Sequence, residues 1–376
     1  MTKLLFERDA FLKNFTGTVL SCDLEKDCWL VALDRTAFYP EGGGQPGDTG
    51  SLGGVRVWDA HIRDGVVLHF CDAPLEIGAA VEGRIDWSRR FDHMQQHSGE
   101  HIVSGLICAR FGCDNVGFHM GAETVVIDFN APIPAEAPPE IEAEANRVIW
   151  ENRPFVISHP GPGKLEKISY RSKKELSGDV RLVECPGADC CACCGTHVHS
   201  AGEIGLIKLL SLKPFREGVR IEMLAGRRAY AYVCAVTSQN HAVSVLSSAP
   251  ETDTAAAVER LLSENAALKY RNVGLENRLF ELLATEFDGK GFALLFLEDL
   301  SADALRRCCL AVSERCGGVC AVFSGEDGNF KYAVSGIDVR AMNDALHGRG
   351  GGRNGFAQGS AAASRQEIEN YFRFFS

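Results

Sequence analysis

The sequence predicts a multidomain α+β protein, and its four regions carry that prediction. Residues 1–88 hold short apolar runs between glycine-rich turns, which is typical of a small N-terminal β-barrel. Residues 89–235 mix helical and strand patterns around histidine and cysteine motifs, which indicates an α+β domain with a metal site. A linker with a long helix at 236–288, read as a helical arm, and a C-terminal α/β domain at 289–376 complete the chain.

The composition excludes several classes of protein. The 376 residues are 45% hydrophobic and 24% charged, which is ordinary for a globular chain with two or three cores. A net charge of −11 argues against indiscriminate binding to nucleic acid, although basic stretches such as 212–220 allow a local basic surface. We find no run of 18 apolar residues and no signal-peptide core, so we expect a cytoplasmic protein with no membrane partner.

The barrel prediction rests on strand-like segments separated by turn signals every 8–12 residues. "CWLVALDRT" (28–36) and "GVVLHF" (65–70) are two of these short apolar runs. "YPEGGGQPGDTG" (39–50) concentrates glycine and proline, which indicates a turn region.

In the next region the spacing of Met94, Ile102, Leu106 and Ile107 predicts a helix through "HMQQHSGEHIVSGLICARF" (93–111), with Ser88 or Asp92 as its N-terminal cap. An acidic helix is predicted after the two prolines of "AEAPPEIEAEANRVIWENR" (135–153). Strands are predicted at 123–130, 180–187, 203–215 and 218–226.

The C-terminal half begins with a strongly helical stretch at 256–286. Leucines at 261, 262, 268, 275, 279 and 282 form an apolar stripe, and this helix is interpreted as an arm, half of a helical hairpin, or a dimerisation helix. The final domain alternates strand patterns with helical ones and ends in the glycine-rich "RGGGRNGFAQGS" (349–360).

Two pairs of side chains predict the metal site. His97 and His101 are four residues apart in the predicted helix, so they share a face and reach one ion together. Cys193 and His197 are also four apart, in a glycine-containing loop after a strand. Three imidazoles and a thiolate suit Zn²⁺ at about 2.0–2.3 Å.

Spacing alone leaves alternatives open at this site. The cluster "ECPGADCCACCGTHVHS" (184–200) contains three other cysteines that rival Cys193, and it is also consistent with a structural zinc or with thiols that bind no metal. His93 and His199 are near the motifs, and we expect them to be irrelevant. The rival cysteines are Cys190, Cys191 and Cys194.

These motifs, in this order, carry a resemblance to a known family. "HSGEH" followed about 90 residues later by "CCGTH" resembles the paired metal motifs of the editing domain of alanyl-tRNA synthetase and of its free-standing relatives, the AlaX proteins. "AFYPEGGGQPGDTG" (37–50) resembles the glycine-rich segment of the barrel before that domain. "GRGGGRNGFAQG" (348–359) resembles the glycine motif of the C-terminal DHHA-type domain, so the long AlaX type is the best match.

The resemblance aligns the four zinc ligands with His97, His101, Cys193 and His197, and so selects Cys193 over its neighbours. This chain departs from the synthetase pattern at two positions. Cys194 replaces a glycine, and Glu100 stands where the synthetase has a threonine close to the substrate. Glu100 is a candidate proton acceptor or amine partner, with a solvent-facing helix glutamate as the alternative.

The segment "GFHMGAE" (117–123) resembles a pocket-lining segment of these domains and makes His119 the second candidate catalytic residue. Glycine-rich backbone and basic side chains are expected to approach the RNA. These candidate tRNA contacts are Gly42, Gly43, Gly44 and Gln45 in the barrel and Arg349, Gly351, Gly352 and Arg353 near the C-terminus.

The implied function is hydrolysis of mischarged tRNA. The resemblance implies a zinc-dependent, ATP-independent deacylase of Ser-tRNA(Ala), with Gly-tRNA(Ala) as a further candidate substrate, since the chain starts at the barrel without an aminoacylation domain. An alanine pocket cannot strongly exclude serine, so a second hydrolytic site is needed. Four protein ligands form a closed tetrahedral site, which raises the question whether zinc activates water or only orients the substrate.

Two other functions are weighed against this one. The first is a non-catalytic tRNA-binding protein with a structural zinc. The second is editing of another charged tRNA, as in threonyl-tRNA synthetase, against which the barrel glycines and the C-terminal motif argue. A homodimer through residues 256–286 or through the C-terminal domain is a further expectation.

Overall fold

The computed structural model describes residues 1–172 and 180–375. The chain divides into two compact units, Met1–Gln239 and Asn240–Ser376. Within the described ranges, every helix is too short or too polar to cross a lipid bilayer. The mixed α+β architecture predicted from the sequence is confirmed.

The first unit starts with a closed six-stranded barrel in the order β2-β3-β7-β6-β5-β8. Side chains alternate between the interior and solvent along its strands. Along β8, for example, Val81, Gly83 and Ile85 are buried, and the residues before each of them are exposed. The predicted small β-barrel is therefore confirmed. The strands of this region are β1 (Lys3–Leu4), β2 (Asn14–Glu25), β3 (Cys28–Leu33), β4 (Arg35–Thr36), β5 (Gly50–Leu52), β6 (Val55–Arg63), β7 (Val66–Cys71) and β8 (Ala80–Ile85).

The long helix α1 (Trp87–Phe111) follows the last barrel strand directly. Its cap is Asp86, whose side chain accepts a hydrogen bond from the backbone N–H of Arg89 (3.2 Å), so the predicted caps Ser88 and Asp92 are wrong. The barrel strand ends at Ile85, which leaves Asp86 as the single residue that can cap the helix. Trp87 and Phe91 pack against the core from the first turns of α1, so the apolar stripe begins earlier than the predicted helix.

A buried ion pair fastens α1 to the barrel. Arg90 is fully buried, and its Nε atom lies 3.0 Å from Asp48 Oδ1. The same guanidinium donates to the carbonyl of Ala10 (2.8 Å) and to that of Ala37 (2.6 Å). Breaking a buried pair of this kind typically costs about 3–5 kcal/mol, so the orientation of α1 on the barrel is strongly determined.

The rest of the first unit surrounds α1. One sheet has the order β14-β15-β10-β9 and a second has the order β11-β12-β13. Apolar side chains of α1, including Met94, Ile102 and Ile107, share one core with the first sheet. The elements are β9 (Asn115–Met120), β10 (Val125–Phe129), α2 (Pro138–Trp150), β11 (Val156–Ser158), α3 (Pro162–Leu165), β12 (Leu182–Cys185), β13 (Asp189–Ala192), a 3₁₀ turn (Ala201–Glu203), β14 (Ile207–Phe215) and β15 (Gly218–Ala225).

The second unit contains a five-stranded sheet in the order β16-β17-β18-β20-β19, with one hydrophobic core on each face. Helix α4 contains the boundary between the units and was not predicted from the sequence, and neither was α8. The elements are α4 (Gly226–Ser247), α5 (Thr254–Thr285), β16 (Phe292–Phe296), α6 (Ala302–Cys316), β17 (Val319–Glu326), β18 (Asn329–Ser335), α7 (Val339–Ala345), β19 (Gly348–Arg353), β20 (Phe356–Ala361) and α8 (Arg365–Phe372).

Candidate metal centre

Helix α1 presents the first two predicted ligands on one buried face. His97 and His101 are each 3% exposed, and their ring centroids are 5.2 Å apart. Residues four apart on a helix lie one above the other, and here α1 contacts both β13 and β15. The pair is therefore held inside the first unit and not on its surface.

The loop after β13 brings the second pair onto that face. The Sγ atom of Cys193 lies 3.4 Å from Nε2 of His97 and 3.4 Å from Nε2 of His197. One ligand atom from each of these three residues and from His101 lies within 4.8 Å of the others. Gly195 makes this approach possible, because a Cβ atom there would lie 2.2 Å from Cε1 of His97. The structure thus gathers all four predicted ligands into one cluster.

A barrel glutamine holds the first of the three imidazoles. Oε1 of Gln45 lies 2.9 Å from Nδ1 of His97 and accepts a hydrogen bond from the backbone N–H of Thr196 (3.2 Å). Nε2 of Gln45 donates to the hydroxyl of Thr196 (2.9 Å). Gln45, which the sequence predicts to contact the tRNA, is fully buried and makes these contacts within the protein. It orients His97 and joins the two motif-bearing segments.

The other two imidazoles are held in the same way, at Nδ1. The hydroxyl of Ser98 lies 3.1 Å from Nδ1 of His197. The carboxylate of Asp189 lies 3.0 Å from Nδ1 of His101, within ion-pairing distance, although the ring nitrogen is not aligned for a hydrogen bond. Arg171 in turn binds Asp189 through two hydrogen bonds of 2.7 and 2.8 Å. Each imidazole therefore has its Nδ1 beside a protein group.

The electrostatics of the cluster favour a thiolate. Burial alone would raise the pKa of the Cys193 thiol, but the three imidazoles lower that pKa well below its usual value. Burial also opposes a charged His101, yet the Cys193 sulfur and Asp189 raise the pKa of that imidazole well above the ordinary value. Burial and repulsion from the other two histidines lower the pKa of His197 well below the ordinary value.

This donor set fits a divalent metal ion. A metal requires a deprotonated sulfur and neutral imidazoles, and three nitrogens plus one sulfur are typical ligands of Zn²⁺. Holding Nδ1 fixes the ring and leaves Nε2 as the metal-binding atom, which is the usual arrangement around metal-bound histidines. Residues that could hold the ion are His97, His101, Cys193 and His197.

The rival cysteines lie around the cluster and outside it. Cys191 is buried and borders the ligands, and it forms a second potential group with His101 and Asp189. Cys194 is exposed, and Cys190 is half-buried. Burial raises the pKa of the Cys190 and Cys191 thiols, to about 11 for Cys190, whereas that of Cys193 is lowered. The thiolate needed by a metal therefore forms most readily at Cys193.

A pocket of about 270 Å³ opens onto the ligands. Among the described residues its wall includes three of the four ligands, namely His97, His101 and Cys193, together with Glu100 and Arg171. Glu100 is 3% exposed to solvent, so it is not the solvent-facing helix glutamate considered as an alternative. A cluster with an open side can contact a bound molecule, whereas a purely structural metal site is usually enclosed.

One oxygen of Glu100 is already used by the protein. Its Oε1 accepts hydrogen bonds from the hydroxyl of Ser104 (2.7 Å) and from Nδ2 of Asn115 (2.6 Å). Nδ2 of Asn115 also lies 2.9 Å from the Ser104 hydroxyl. The carboxylate is thus fixed in direction, while its second oxygen makes no hydrogen bond within the described part of the chain.

The second candidate catalytic residue lies elsewhere. His119 is exposed on β9 and does not border the pocket within the described residues. Its neighbour Phe118 stacks on the ring of His97, with centroids 4.9 Å apart. Successive side chains of a strand point to opposite faces, so the segment is correctly placed beside the site but presents Phe118 to it.

The two histidines expected to be irrelevant have separate surroundings. His199 is exposed and stacks on Phe11, with ring centroids 3.9 Å apart. His93 is 2% exposed, one helical turn before His97, and its Nδ1 atom has no hydrogen-bond partner. His93 borders a different cavity from the one that opens onto the ligands.

The glycine loop of the barrel reaches the same pocket. Gly43 lies in the pocket wall with a φ of +59°. Gly44 has a φ of +87°, and a Cβ there would lie 2.6 Å from Phe118. Gly42 closes the turn through paired backbone hydrogen bonds with Gln45 (3.1 and 3.0 Å). The positive φ values therefore favour glycine at Gly43 and Gly44, and close packing against β9 adds a second requirement at Gly44 alone.

The predicted C-terminal contacts lie on a β-hairpin formed by β19 and β20. Asn354 and Gly355 form its turn with φ values of +59° and +76°, as expected for an Asn-Gly hairpin. β19 is an edge strand, and the four predicted residues on it are exposed. These are Arg349, Gly351, Gly352 and Arg353.

Sequence reasoning missed the residues that support the ligands. Ser98 lies directly between motif residues, and a polar side chain beside a metal-binding histidine is the signal that was available. Asp189 lies directly before Cys190, but its contact with His101 joins positions far apart in the chain. Arg171 lies far from either motif in sequence, so no local pattern identifies it.

Comparison with protein families matches two segments of the chain. Residues 180–222 match the threonyl and alanyl tRNA synthetase second additional domain. Residues 13–89 match the class II (A) tRNA synthetases. The first segment contains Cys193 and His197, and the second covers most of the barrel.

Whole-chain comparison finds relatives with similar names. The alanyl-tRNA editing protein Aarsd1 of Mus musculus is 30% identical over 289 residues, which are 72% of this chain and 70% of that protein. The alanyl-tRNA editing protein AlaX-L of Pyrococcus horikoshii is 28% identical over an alignment of 403 positions, which covers 98% of this chain and 96% of that protein. An alanine–tRNA ligase of Ignicoccus hospitalis is 36% identical over 241 residues, 60% of this chain but 26% of the ligase.

Proposed function

The chain belongs to the alanyl-tRNA editing proteins, in their long AlaX form, and we propose that it removes serine wrongly attached to tRNA(Ala), with Gly-tRNA(Ala) as a second substrate. One observation carries the proposal. Four ligand atoms of His97, His101, Cys193 and His197 lie within 4.8 Å of one another at the base of an open pocket. The reaction is hydrolysis of an aminoacyl ester.

We propose Zn²⁺ as the resident metal, held by those four side chains. When bound, zinc polarises oxygen atoms of a substrate and lowers the pKa of water in contact with it to about 7. Gln45, Ser98 and Asp189 keep the three imidazoles in one orientation before the substrate arrives. Preorganised ligands of this kind cost no rearrangement during the reaction.

Glu100 is assigned to the amino group of the substrate. Ser104 and Asn115 occupy one of its oxygens, and the side chain lies in the pocket wall beside His97 and His101. An aminoacyl ester carries a free α-ammonium group, and a fixed carboxylate binds such a group through a charge-assisted hydrogen bond. This contact places the ester carbonyl towards the metal ligands.

The pocket wall also accounts for selection of serine over alanine. The polar side chains of Glu100 and Arg171 lie in the wall of this pocket, and Glu100 is only 3% exposed. A buried polar group that bonds a serine hydroxyl remains unpaired when alanine or glycine enters, and such sites reject a substrate without the hydroxyl by up to about 10⁴–10⁵. Gly-tRNA(Ala) is therefore a much slower substrate than Ser-tRNA(Ala). We therefore propose that Ala-tRNA(Ala) is spared.

A non-catalytic protein with a structural zinc is the competing function. The open side of the cluster argues against it, because a metal with only a structural role needs no pocket beside its ligands. The alternative nevertheless makes a different experimental prediction, since it expects tRNA binding without hydrolysis.

The decisive experiment presents a panel of charged tRNAs to the wild type and to two variants. We expect rapid hydrolysis of Ser-tRNA(Ala), slower hydrolysis of Gly-tRNA(Ala) and none of Ala-tRNA(Ala). Cys193→Ala should lose both zinc and activity. Cys190→Ala is the matched control, because Cys190 lies in the same segment but outside the four-ligand cluster.

Removal of the metal provides an independent arm of this experiment. A chelator should abolish hydrolysis while circular dichroism remains unchanged, and added Zn²⁺ should restore it. Hydrolysis that persists in metal-free protein, or equal hydrolysis of Ala-tRNA(Ala), would contradict the proposal. A protein that binds tRNA and never hydrolyses it would favour the structural-zinc alternative.

We propose that the β19–β20 hairpin contacts the body of the tRNA. Arg349 and Arg353 are exposed at either end of bare glycine backbone, which suits contacts to phosphates. Replacing both arginines by alanine should weaken tRNA binding and lower its salt dependence, while zinc content remains at one ion per chain. Unchanged binding would remove the hairpin from the interface.

A homodimer through α5 is proposed from its exposed leucines. Leu261, Leu268, Leu275 and Leu282 recur every seven residues, and they are 48%, 64%, 53% and 67% exposed. A seven-residue apolar repeat is the pattern of a coiled coil. Sedimentation should show a dimer that Leu268→Glu dissociates, and a monomeric wild type would exclude it.

The remaining proposals concern layout and compartment. We propose that residues 1–88, 89–235, 236–288 and 289–376 act as barrel, editing domain, helical linker and DHHA-type tRNA-binding domain. Cytoplasmic action is supported by the cysteines, all fifteen of which are free thiols.

A further inference from the structure

A second cavity of about 440 Å³ lies at the N-terminal end of α1, and the proposed hydrolytic site does not use it. Its wall combines the barrel loop at Pro46, the first turns of α1, the β9–β10 turn and the start of α4. All of these residues belong to the first unit. The cavity is wide enough for a small charged group and open to solvent.

Its charges are not balanced. Three arginines border it, and of the two acidic residues in the wall, Asp86 caps α1 and Asp92 pairs with Arg228 (2.7 Å). Arg89 makes only a side-chain hydrogen bond of 3.2 Å to the carbonyl of Gly47, and the side chain of Arg227 is unpaired within the described residues. Two guanidinium groups are therefore available to an anion.

A buried histidine is the second observation. His93 lines the cavity, is 2% exposed, and its Nδ1 atom has no hydrogen-bond partner. An unpaired buried polar atom costs about 1–3 kcal/mol, which a ligand with a hydrogen-bonding group would recover. Burial, followed by repulsion from Arg89 and Arg228, lowers the pKa of His93 to about 3, so the imidazole is neutral.

The cavity is close to the proposed reaction site. Along α1, His93 precedes His97 by one turn and Arg89 precedes it by two, or about 6 and 12 Å along the helix axis. The glycine loop connects the sites, since Gln45 holds His97 while the next residue, Pro46, lines the cavity. A nucleotide chain whose 3′ end lies at the ligands can therefore place a nearby phosphate here.

We propose that this cavity is a phosphate site that binds a phosphodiester of the 3′-terminal nucleotides of the charged tRNA. Arg89 and Arg227 supply the charge, and the imidazole of His93 lies in the same wall. The identity of the ligand rests on the proposed deacylase function. The site fixes how far the single-stranded end enters the pocket and thereby positions the ester.

The test compares Arg227→Ala and Arg89→Ala with wild type, and Arg56→Ala is the matched control. Arg56 is an exposed barrel arginine that does not border the cavity. Binding is measured for uncharged tRNA(Ala) and for the same RNA without its three terminal nucleotides, over a range of salt concentrations. Inorganic phosphate is titrated in parallel as the free-anion probe, and hydrolysis of Ser-tRNA(Ala) is measured on each protein.

For Arg227→Ala we expect about fivefold weaker binding of the complete tRNA at 0.1 M salt. The plot of the logarithm of the binding constant against the logarithm of salt concentration should be less steep by about 0.7, the value for one single-stranded phosphate contact. Binding of the trimmed tRNA should be the same in wild type, variant and control. Equal loss with trimmed tRNA, or a phosphate titration that depends on Arg227 while tRNA binding does not, would overturn the assignment.

The two proposals fail separately. A wild type that hydrolyses Ser-tRNA(Ala) but whose tRNA binding ignores both Arg89 and Arg227 overturns the phosphate site alone. A wild type that binds the complete tRNA through Arg227 without hydrolysing any ester overturns the activity and leaves the site standing.

Discussion

Asp189→Asn tests whether the groups behind the ligands determine metal binding. The carboxylate of Asp189 lies 3.0 Å from Nδ1 of His101 and binds Arg171 through two hydrogen bonds. Asparagine has nearly the same shape but carries no charge. The substitution therefore leaves His101 in place and removes the anion that favours binding of a cation through Nε2.

The expected magnitude follows from this geometry. Loss of a group that holds a metal-binding histidine typically weakens metal affinity by about 10–100-fold, or about 1.4–2.7 kcal/mol. Stability should fall as well, because the side chain of Arg171 is only 21% exposed and loses its buried partner. Breaking such a buried pair costs about 3–5 kcal/mol. Because Arg171 is partly exposed, we expect the free energy of unfolding of Asp189→Asn to fall by about 3 kcal/mol or less.

The assay measures the zinc dissociation constant by competition with a chromophoric chelator and stability by urea unfolding. Asp128→Asn is the matched control, since Asp128 binds Arg220 with the same two-point geometry, at 2.7 and 2.9 Å, but is not part of the described metal cluster. That pair is partly exposed, so we expect a loss of about 1 kcal/mol or less and unchanged zinc affinity.

Two results would refute the reasoning. The first is a zinc dissociation constant for Asp189→Asn within threefold of wild type, because the carboxylate would then have no influence on the ligands. The second is an equal loss of zinc affinity in Asp128→Asn, which would trace the effect to general destabilisation of the first unit.

Three further changes have definite expected outcomes. Glu100→Gln should lower kcat/KM for Ser-tRNA(Ala) about tenfold to a hundredfold, because a charged hydrogen bond of about 1.5–3 kcal/mol to the ammonium group is lost, while zinc content stays constant. Burial lowers the pKa of His69 from 6.5 to about 4, so the unfolded chain binds a proton at a higher pH than the folded protein does. The free energy of unfolding should therefore fall by about 3 kcal/mol as the pH is lowered from 6.5 to 4. His69→Gln should make the free energy of unfolding depend less on pH in this range. Gly44→Ala should cost about 1–3 kcal/mol more than Gly54→Ala in urea unfolding, because both have positive φ but only Gly44 would also clash with Phe118.

The controls for these changes use the same proteins. Unchanged kcat/KM in Glu100→Gln would remove that carboxylate from substrate binding. The free energy of unfolding is compared between wild type and His69→Gln from pH 6.5 to pH 4. A difference that does not change with pH would contradict the buried neutral imidazole. Equal losses in the two glycine variants would show that contact with Phe118 is unimportant.

Much of the site followed from local sequence patterns. A helix repeats every 3.6 residues, so His97 and His101 had to share a face once α1 formed. The choice of Cys193 over Cys190, Cys191 and Cys194 did not follow from spacing. It needed the family resemblance, and the structure supplies a physical reason, since only Cys193 has its pKa lowered by three imidazoles.

Other features could not be predicted because they join distant segments. Gln45 was expected to contact RNA, yet it is buried against His97 and Thr196, which lie 52 and 151 residues further along the chain. His119 was expected in the pocket, and the register of β9 presents Phe118 there instead. Helix α4 was missed because most of its residues are exposed, so it lacks a clear apolar stripe.

By itself the sequence determined the β-barrel, the helix that carries the first histidine pair, and the residue types of the ligands, because these depend on contacts between near neighbours. Only the tertiary structure decided that the two pairs meet, that Gln45, Ser98 and Asp189 orient them, and that Arg89 and Arg227 border a common cavity with His93. Those relations depend on how α1 packs against the barrel and the sheets, and the free energy of that packing is distributed over buried contacts between segments far apart in the chain.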